Sequence, residues 1–253
     1  MSIITLCTDF GTEDGYTAAM KGVILNINPK AIIVDATHAL KKHDILAASF
    51  SINTYYKYFP ERTVHVAVVD PGVGGKRYGI VLKTKQHVFI GPDNGIFTYV
   101  IKTQPYACYK IKPKRNILNT FHGRDIFAPL AAELSIKWDR SLLGEKLEKP
   151  VLLDIPESIV KEKSITGKII HIDHFGNLIT NIQNDILPEK RSVSITLKRF
   201  TINGIKKTYE ECERDTLCAV INSFNLLEIA VYSESAFNKT ASSIGDYVVV
   251  RWL

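Results

Sequence analysis

The rhythm of apolar and polar positions changes once along this chain, and the change divides it in two. In the first part, short apolar runs alternate with longer stretches of helical spacing. Residues 3–8, 31–36 and 64–69 are β-branched and nearly uncharged, the pattern of strands buried on both faces. Between them, 14–27 reads as a helix closed by Pro29, and 43–59 as a second whose Ile45, Ser49, Ile52, Tyr56 and Phe59 share one face. Further strands are expected at 78–84 and 87–90, and a helix at 126–134 that tolerates Pro129 near its first turn. This alternation predicts an α/β N-terminal domain with a largely parallel central sheet.

Helical spacing ends near Pro156. A charged stretch at 157–163 is followed by β-rich runs at 167–172, 178–182, 193–200, 218–221, 227–231 and 247–252, separated by turns such as Asn203-Gly204. Evenly spaced strands with little helix predict a smaller, all-β, barrel-like C-terminal domain. The expected domains are 1–158 and 164–253.

At 253 residues, the chain is long enough for two cores. Net charge is 32 − 26 = +6, but the basic residues are scattered. The densest groups, at 110–115 and at Lys198-Arg199 with Lys206-Lys207, are short and read as solvated faces, which argues against a nucleic-acid partner. No run approaches the roughly 18 apolar residues of a membrane span, and no basic region precedes the first apolar run. Cys7, Cys108, Cys212 and Cys218 show no zinc-ribbon spacing and read as reduced core residues of a soluble, cytoplasmic protein.

Candidate chemistry gathers where strands end. The strand at 64–69 runs into Asp70-Pro71-Gly72-Val73-Gly74-Gly75-Lys76-Arg77, placing an acid at the carboxyl end of a central strand, where open α/β sheets bind ligands. The same residues also make an ordinary turn, and they match neither GxGxxG nor the Walker loop. Asp9, in Thr8-Asp9-Phe10-Gly11, is equally suited to cap the following helix or to hold a ribose diol. His122 precedes a helix and fits a structural or a catalytic role. His171 and His174 do not share a helical face, which argues against a metal site, and Asp173 and Asn177 bracket a turn at Gly176.

Five ordered motifs carry a resemblance that spans essentially the whole chain: Thr8-Asp9-Phe10-Gly11, Val69-Asp70-Pro71-Gly72-Val73-Gly74, Phe89-Ile90-Gly91-Pro92-Asp93-Asn94-Gly95, Phe121-His122-Gly123-Arg124-Asp125 and Asp173-His174-Phe175-Gly176-Asn177. Together with Leu227-Glu228-Ile229-Ala230, they resemble the S-adenosyl-L-methionine hydroxide adenosyltransferases, relatives of fluorinase and chlorinase. The resemblance implies a homotrimer with active sites between subunits. It also implies conversion of S-adenosyl-L-methionine and water to adenosine and L-methionine, with no metal and no cofactor. It puts the water-activating trio on Asp70, Arg77 and His122, and the ordinary titration range of imidazole suits His122 to accept or relay a proton. It puts Asp9 on the ribose hydroxyls, Asp173 on the methionine ammonium, Asn177 on the adenine edge, Tyr209 near the adenine face and Ser223 near the methionine end. Phe224-Asn225-Leu226 departs from the glycine-containing pattern common at that point. The competing expectations are a chloride adenosyltransferase, which Arg77 and His122 argue against, a non-catalytic nucleoside sensor, and a basic RNA-binding protein.

Overall fold

The structure is a computed structural model that describes residues 2–112, 120–188 and 192–252, so Met1 and positions 113–115 of the first basic group lie outside the described residues. The chain divides into two compact units, Met1–Leu153 and Asp154–Leu253.

The first unit carries β1 (Ser2–Thr8), α1 (Tyr16–Ile27), β2 (Ala31–Thr37), α2 (Ile45–Tyr55), β3 (Val64–Val68), β4 (Gly79–Thr84), β5 (Val88–Pro92), α3 (Thr98–Thr103), β6 (Tyr106–Ile111), α4 (Ala128–Ile136) and β7 (Leu143–Lys146). Its sheet has the order β2-β1-β3-β5-β4-β6-β7. Strands β3 and β1 present alternate residues to two separate cores. Ile4, Leu6, Val64, Val66 and Val68 pack with Met20 and Ile24 of α1 and Ala128 to Leu134 of α4. Cys7, Ala67 and Val69 pack with Ala48 and Ile52 of α2 and Val100 of α3. Helices therefore cover both faces of the sheet.

The sheet is mixed, which corrects the largely parallel expectation. β2, β1, β3 and β5 run parallel, while β5-β4, β4-β6 and β6-β7 are antiparallel. The cause is a short connection: β4 and β5 are joined through the Thr84–His87 turn, with the Thr84 N–H donating to His87 O at 3.0 Å, too few residues for a crossover helix. This reversal positions the site. Because β4 runs against β3 and β5, it starts at the edge of the sheet where β3 ends.

The second unit carries β8 (Ile159–Lys161), β9 (Ser164–Ile172), β10 (Leu178–Gln183), β11 (Ser194–Leu197), β12 (Phe200–Asn203), β13 (Leu217–Ile221), β14 (Leu226–Val231), α5 (Ala236–Thr240) and β15 (Tyr247–Arg251). Its antiparallel path is β12-β11-β15-β9-β10-β14-β13, with β8 on β9. The two ends of the path approach each other where the Lys206 N–H, just beyond β12, donates to Ala219 O of β13 at 2.8 Å, so the sheet is nearly closed and barrel-like. Alternate residues, including Ile165, Ile195, Leu227, Ile229 and Val250, fill its interior. The run expected as one strand at 193–200 is a hairpin, because Lys198 takes φ +51° and reverses the chain. The charged stretch at 157–163 contributes β8.

Cys212 and Cys218 form a disulfide, correcting their assignment as reduced core residues. The chain between them reverses, with the Thr216 N–H donating to Glu213 O and Asp215 at φ +56°, and this brings the two Cα atoms within 5.8 Å. Cys7 and Cys108 are free and buried, and burial pushes both thiols up to about 12. Cross-linking so short a loop contributes about 2 kcal/mol. Cys212→Ser is expected to lower stability by that amount in denaturant titrations, and reductant is expected to erase the difference between the variant and the wild type.

Among the described residues, no helix is long and apolar enough to cross a membrane.

Candidate active site

Asp70 stands two residues after β3, and Arg77 two residues before β4. With both at the same edge of the sheet, the glycine-rich turn needs only to cross the end of β5. It does so through Val73 N–H to Asp70 O, Gly75 N–H to Gly72 O and Gly74 at φ +76°. Asn94, just past β5, donates to Val69 O at 2.9 Å and fixes the end of β3 from the side. Gly91 is required beneath it, since a Cβ there would lie 2.4 Å from Ala67 O.

The Arg77 side chain closes back on Asp70 as a fork. Nε donates to Oδ1 at 3.0 Å and Nη2 donates to Oδ2. The pair is nearly dry, with side-chain exposures of 4% for Asp70 and 13% for Arg77, and the guanidinium lies over the Phe127 ring at 5.6 Å. Arg77 Nη2 also lies 2.8 Å from His122 Nδ1. Arginine has no acceptor, so the Nδ1 lone pair must receive this bond and the imidazole proton sits on Nε2. Burial first, and then the Arg77 charge, hold the His122 pKa below its ordinary value, which keeps the ring neutral. His122 is thus locked as an Nε2–H donor, and the proton-acceptor role expected of it would require breaking the bond from Arg77. Its own position is set by the tight turn Gly123–Phe127 that leads into α4.

Asp70 and His122 border a cavity of about 330 Å³ that is also lined by Asp9, Phe10, Asp14, Tyr16, His43 and Phe121. Asp9 does not cap α1, whose N-cap is Gly15; its Oδ2 accepts the His43 N–H at 2.9 Å and its carboxylate borders the cavity. Phe10, Tyr16 and Phe121 form a triangle of rings with centroids 5.3 to 5.8 Å apart, on the same cavity. Sequence reasoning missed these rings, although Phe10 beside Asp9, Phe121 beside His122 and Tyr16 seven residues after Asp9 were a usable signal. A second cavity, of about 620 Å³, reaches Arg77 and His122 from the side of Tyr78, Lys110 and Glu145. The trio therefore stands between two openings.

The other expected residues belong to the second unit and form clusters of their own. Asp173 Oδ1 accepts the Phe175 and Asn177 N–H groups at 2.9 and 2.8 Å, and Oδ2 accepts Asn177 Nδ2 at 2.9 Å, so these two residues define one rigid turn. Gly176 has φ +85°, and a Cβ there would meet Ser235 Oγ at 2.1 Å. Tyr209 is partly exposed and donates its hydroxyl to Glu228 at 2.7 Å. Ser223 lies exposed in a turn organised by Asn222, whose Oδ1 accepts the Phe224 and Leu226 N–H groups. Asn225 adopts φ +64° in this turn, a conformation that asparagine tolerates better than most residues other than glycine. Among the described residues, no three His, Cys, Asp or Glu side chains are grouped to hold a metal ion.

Residues 4–144 match the model of the SAM hydroxide adenosyltransferase N-terminal domain, and residues 167–249 match that of the C-terminal domain. The chain belongs to the SAM hydroxide adenosyltransferase family. Within it, the chain is 40% identical to an (R)-S-adenosyl-L-methionine hydrolase of Methanocaldococcus jannaschii, over 93% of this chain and 90% of that protein. It is 32% identical to a protein of the same name from Thermus thermophilus over the full length of both. A fluorinase of Actinoplanes sp. is 28% identical, over 80% of this chain and 79% of that one. A solved structure from Thermotoga maritima, described as an uncharacterized conserved protein, superposes with a TM-score of 0.92 at 32% identity, covering 98% of this chain and all of that one.

Proposed function

We propose that the protein hydrolyses S-adenosyl-L-methionine to adenosine and L-methionine by attack of water at the ribose C5′. The observation that carries this reading is the dry Asp70–Arg77–His122 assembly at the edge of a cavity shared with Asp9, in a family whose curated members include (R)-S-adenosyl-L-methionine hydrolases. The name of these relatives supports the R epimer at sulfur as the substrate to test first.

In the reaction, the water oxygen forms a bond to C5′ as the C5′–S bond breaks, and the electron pair departs with sulfur as a neutral thioether. No acid is required for the leaving group. The His122 Nε2–H and the Asp70 carboxylate, each of whose oxygens keeps a lone pair beyond its bond to Arg77, hold the water between them. Once C5′–O has formed, the oxygen is a protonated alcohol, a far stronger acid than a carboxylic acid, so Asp70 suffices to take the proton. Arg77 fixes the orientation of the Asp70 carboxylate that receives the proton, through its fork to both oxygens. The cavity beyond Arg77 offers water a route that does not cross the substrate.

Asp9 takes the ribose hydroxyls, Asn177 the adenine edge, Tyr209 its face, Asp173 the methionine ammonium and Ser223 the methionine end. The same reading carries a homotrimer, a cytoplasmic setting and a reaction without a cofactor. A chloride adenosyltransferase has no use for the water-holding His122 and Arg77.

The test is incubation with each sulfonium epimer in 18O-labelled water. Label on the adenosine 5′-oxygen with equimolar methionine is expected; a 5′-chloro product in chloride, or unchanged substrate of both epimers, overturns the reading. The pH profile gives a second measurement. His122 must be neutral to accept from Arg77, and its pKa is lowered, so kcat is expected to hold through pH 6.5 and fall only at more acidic pH. A decline already complete at pH 6.5 would contradict this tautomer.

A further inference from the structure

Glu228 lies in the middle of β14, paired with Ile179 of β10 on one side and Val220 of β13 on the other, yet it is an acid in the apolar run Leu226-Leu227-Glu228-Ile229-Ala230-Val231. Leu227, Ile229 and Val231 face the barrel interior. Glu228 stands on the opposite face with Ala230, which packs with Cys212, Cys218 and Val220. It is 2% exposed, and the partners of its carboxylate are neutral: Oε1 accepts the Tyr209 hydroxyl at 2.7 Å and Oε2 accepts Asn222 Nδ2 at 3.1 Å. A strand interior would gain more from a leucine here than from a buried carboxylate held by neutral donors, unless the two donors must be held in place.

Each donor belongs to a segment that the hydrolase reading puts against the substrate. Tyr209 opens the short turn Tyr209–Glu211 that ends at the disulfide, with the Cys212 N–H on Tyr209 O at 3.0 Å. Asn222 builds the turn that presents Ser223, holding the Phe224 and Leu226 N–H groups with the other end of its amide. One carboxylate thus joins two loops whose donors, Tyr209 and Asn222, are 13 residues apart in sequence. We propose that Glu228 is a positioning residue of the substrate site, bracing the Tyr209 ring and the Asn222–Ser223 turn from beneath at a fixed spacing. The proposal rests on the hydrolase reading for what the two loops bind; the bracing itself is independent of it.

The experiment combines steady-state kinetics on S-adenosyl-L-methionine with amide hydrogen exchange, on wild type and on Glu228→Leu, Glu228→Gln and Tyr209→Phe. Glu228→Leu strands two donors and is expected to raise KM roughly tenfold or more while kcat changes far less. Exchange should quicken at 205–212 and 222–226. Glu228→Gln can accept from Asn222 with its carbonyl and donate to the Tyr209 oxygen with its amide, so it should stay near wild type in both readouts. Glu228→Leu with wild-type KM and exchange overturns the proposal, as does a Gln variant as impaired as the Leu variant, which would make the charge itself the working element. If Glu228→Leu does not fold, Tyr209→Phe decides: a raised KM at preserved kcat supports the brace, and an unchanged KM overturns it. A wild type inert on both epimers, with exchange still quickened in Glu228→Leu, removes the hydrolase reading and leaves the brace standing.

Discussion

Arg77→Ala is expected to bind S-adenosyl-L-methionine within a few fold of wild type and to turn it over at least a hundredfold more slowly. The magnitude follows from removing a preorganised donor from a water-poor site, where one such group contributes about 10²–10³ in kcat. Arg77 here does more than donate, because it also sets the His122 tautomer through its bond to Nδ1. Without it the imidazole is free to rotate, the Asp70 carboxylate loses its fork, and the water loses the two groups that orient it. Stability should fall too, by about 3 kcal/mol, since the Asp70 carboxylate is 4% exposed and would be left buried without its cation. The double variant Asp70→Asn/Arg77→Leu removes both charges and should recover most of that stability with none of the activity. Arg77→Lys should fail as well, because a point charge cannot replace a fork that meets both carboxylate oxygens and the imidazole. Adenosine release under saturating substrate, with calorimetric binding, checks the first claim, and denaturant titrations check the second. An Arg77→Ala protein with wild-type kcat would reduce the trio to a structural ion pair.

Why that trio assembles is only half legible in the amino-acid sequence. The run 64–69 announces a buried central strand, and Asp70-Pro71-Gly72 announces its end, because apolar periodicity and turn chemistry are local. The meeting of Asp70 with Arg77 is not local. It depends on β4 running antiparallel to β3, a property of the Thr84–His87 connection and of the pairing across β5. A parallel sheet of the kind expected would have started β4 at the far edge and separated the two side chains. The resemblance to a family supplied the trio before the geometry could.

The second unit was read less well, for related reasons. The hairpin at Lys198-Arg199 lacks an Asn-Gly signature, so periodicity runs straight through it. Cys212 and Cys218 have a spacing that fits a disulfide only once the chain is known to reverse between them. Glu228 was visible as an acid inside an apolar strand, but what it holds, Tyr209 on one side and Asn222 on the other, lies in loops whose approach no local pattern encodes.

The protein is expected to lose about 2–3 kcal/mol of stability between pH 6.5 and 4.5, before most carboxylates titrate. The source is His65, fully buried on β3 on the face toward α2. Its Nδ1 meets Thr5 Oγ1 at 2.8 Å, its ring stacks on Phe89 with centroids 5.0 Å apart, and Nε2 faces His87 Nδ1 at 3.4 Å. Burial first, and then the His87 charge, push the His65 pKa down to about 3. The unfolded chain takes up a proton near pH 6.5 that the folded chain refuses, so stability is complete above pH 6.5 and falls by up to about 1.4 kcal/mol per unit as pH drops toward 3. His87 and His122, both lowered chiefly by burial, tilt the curve in the same direction. The decisive comparison is therefore His65→Gln, which should keep a polar partner for Thr5, cost stability at pH 7.5 and flatten most of the slope. Chemical denaturation at pH 7.5 and 4.5 on the two proteins measures it. Equal slopes would mean that His65 accepts a proton inside the fold, and that its cluster with Thr5 and His87 opens to water well before the protein unfolds.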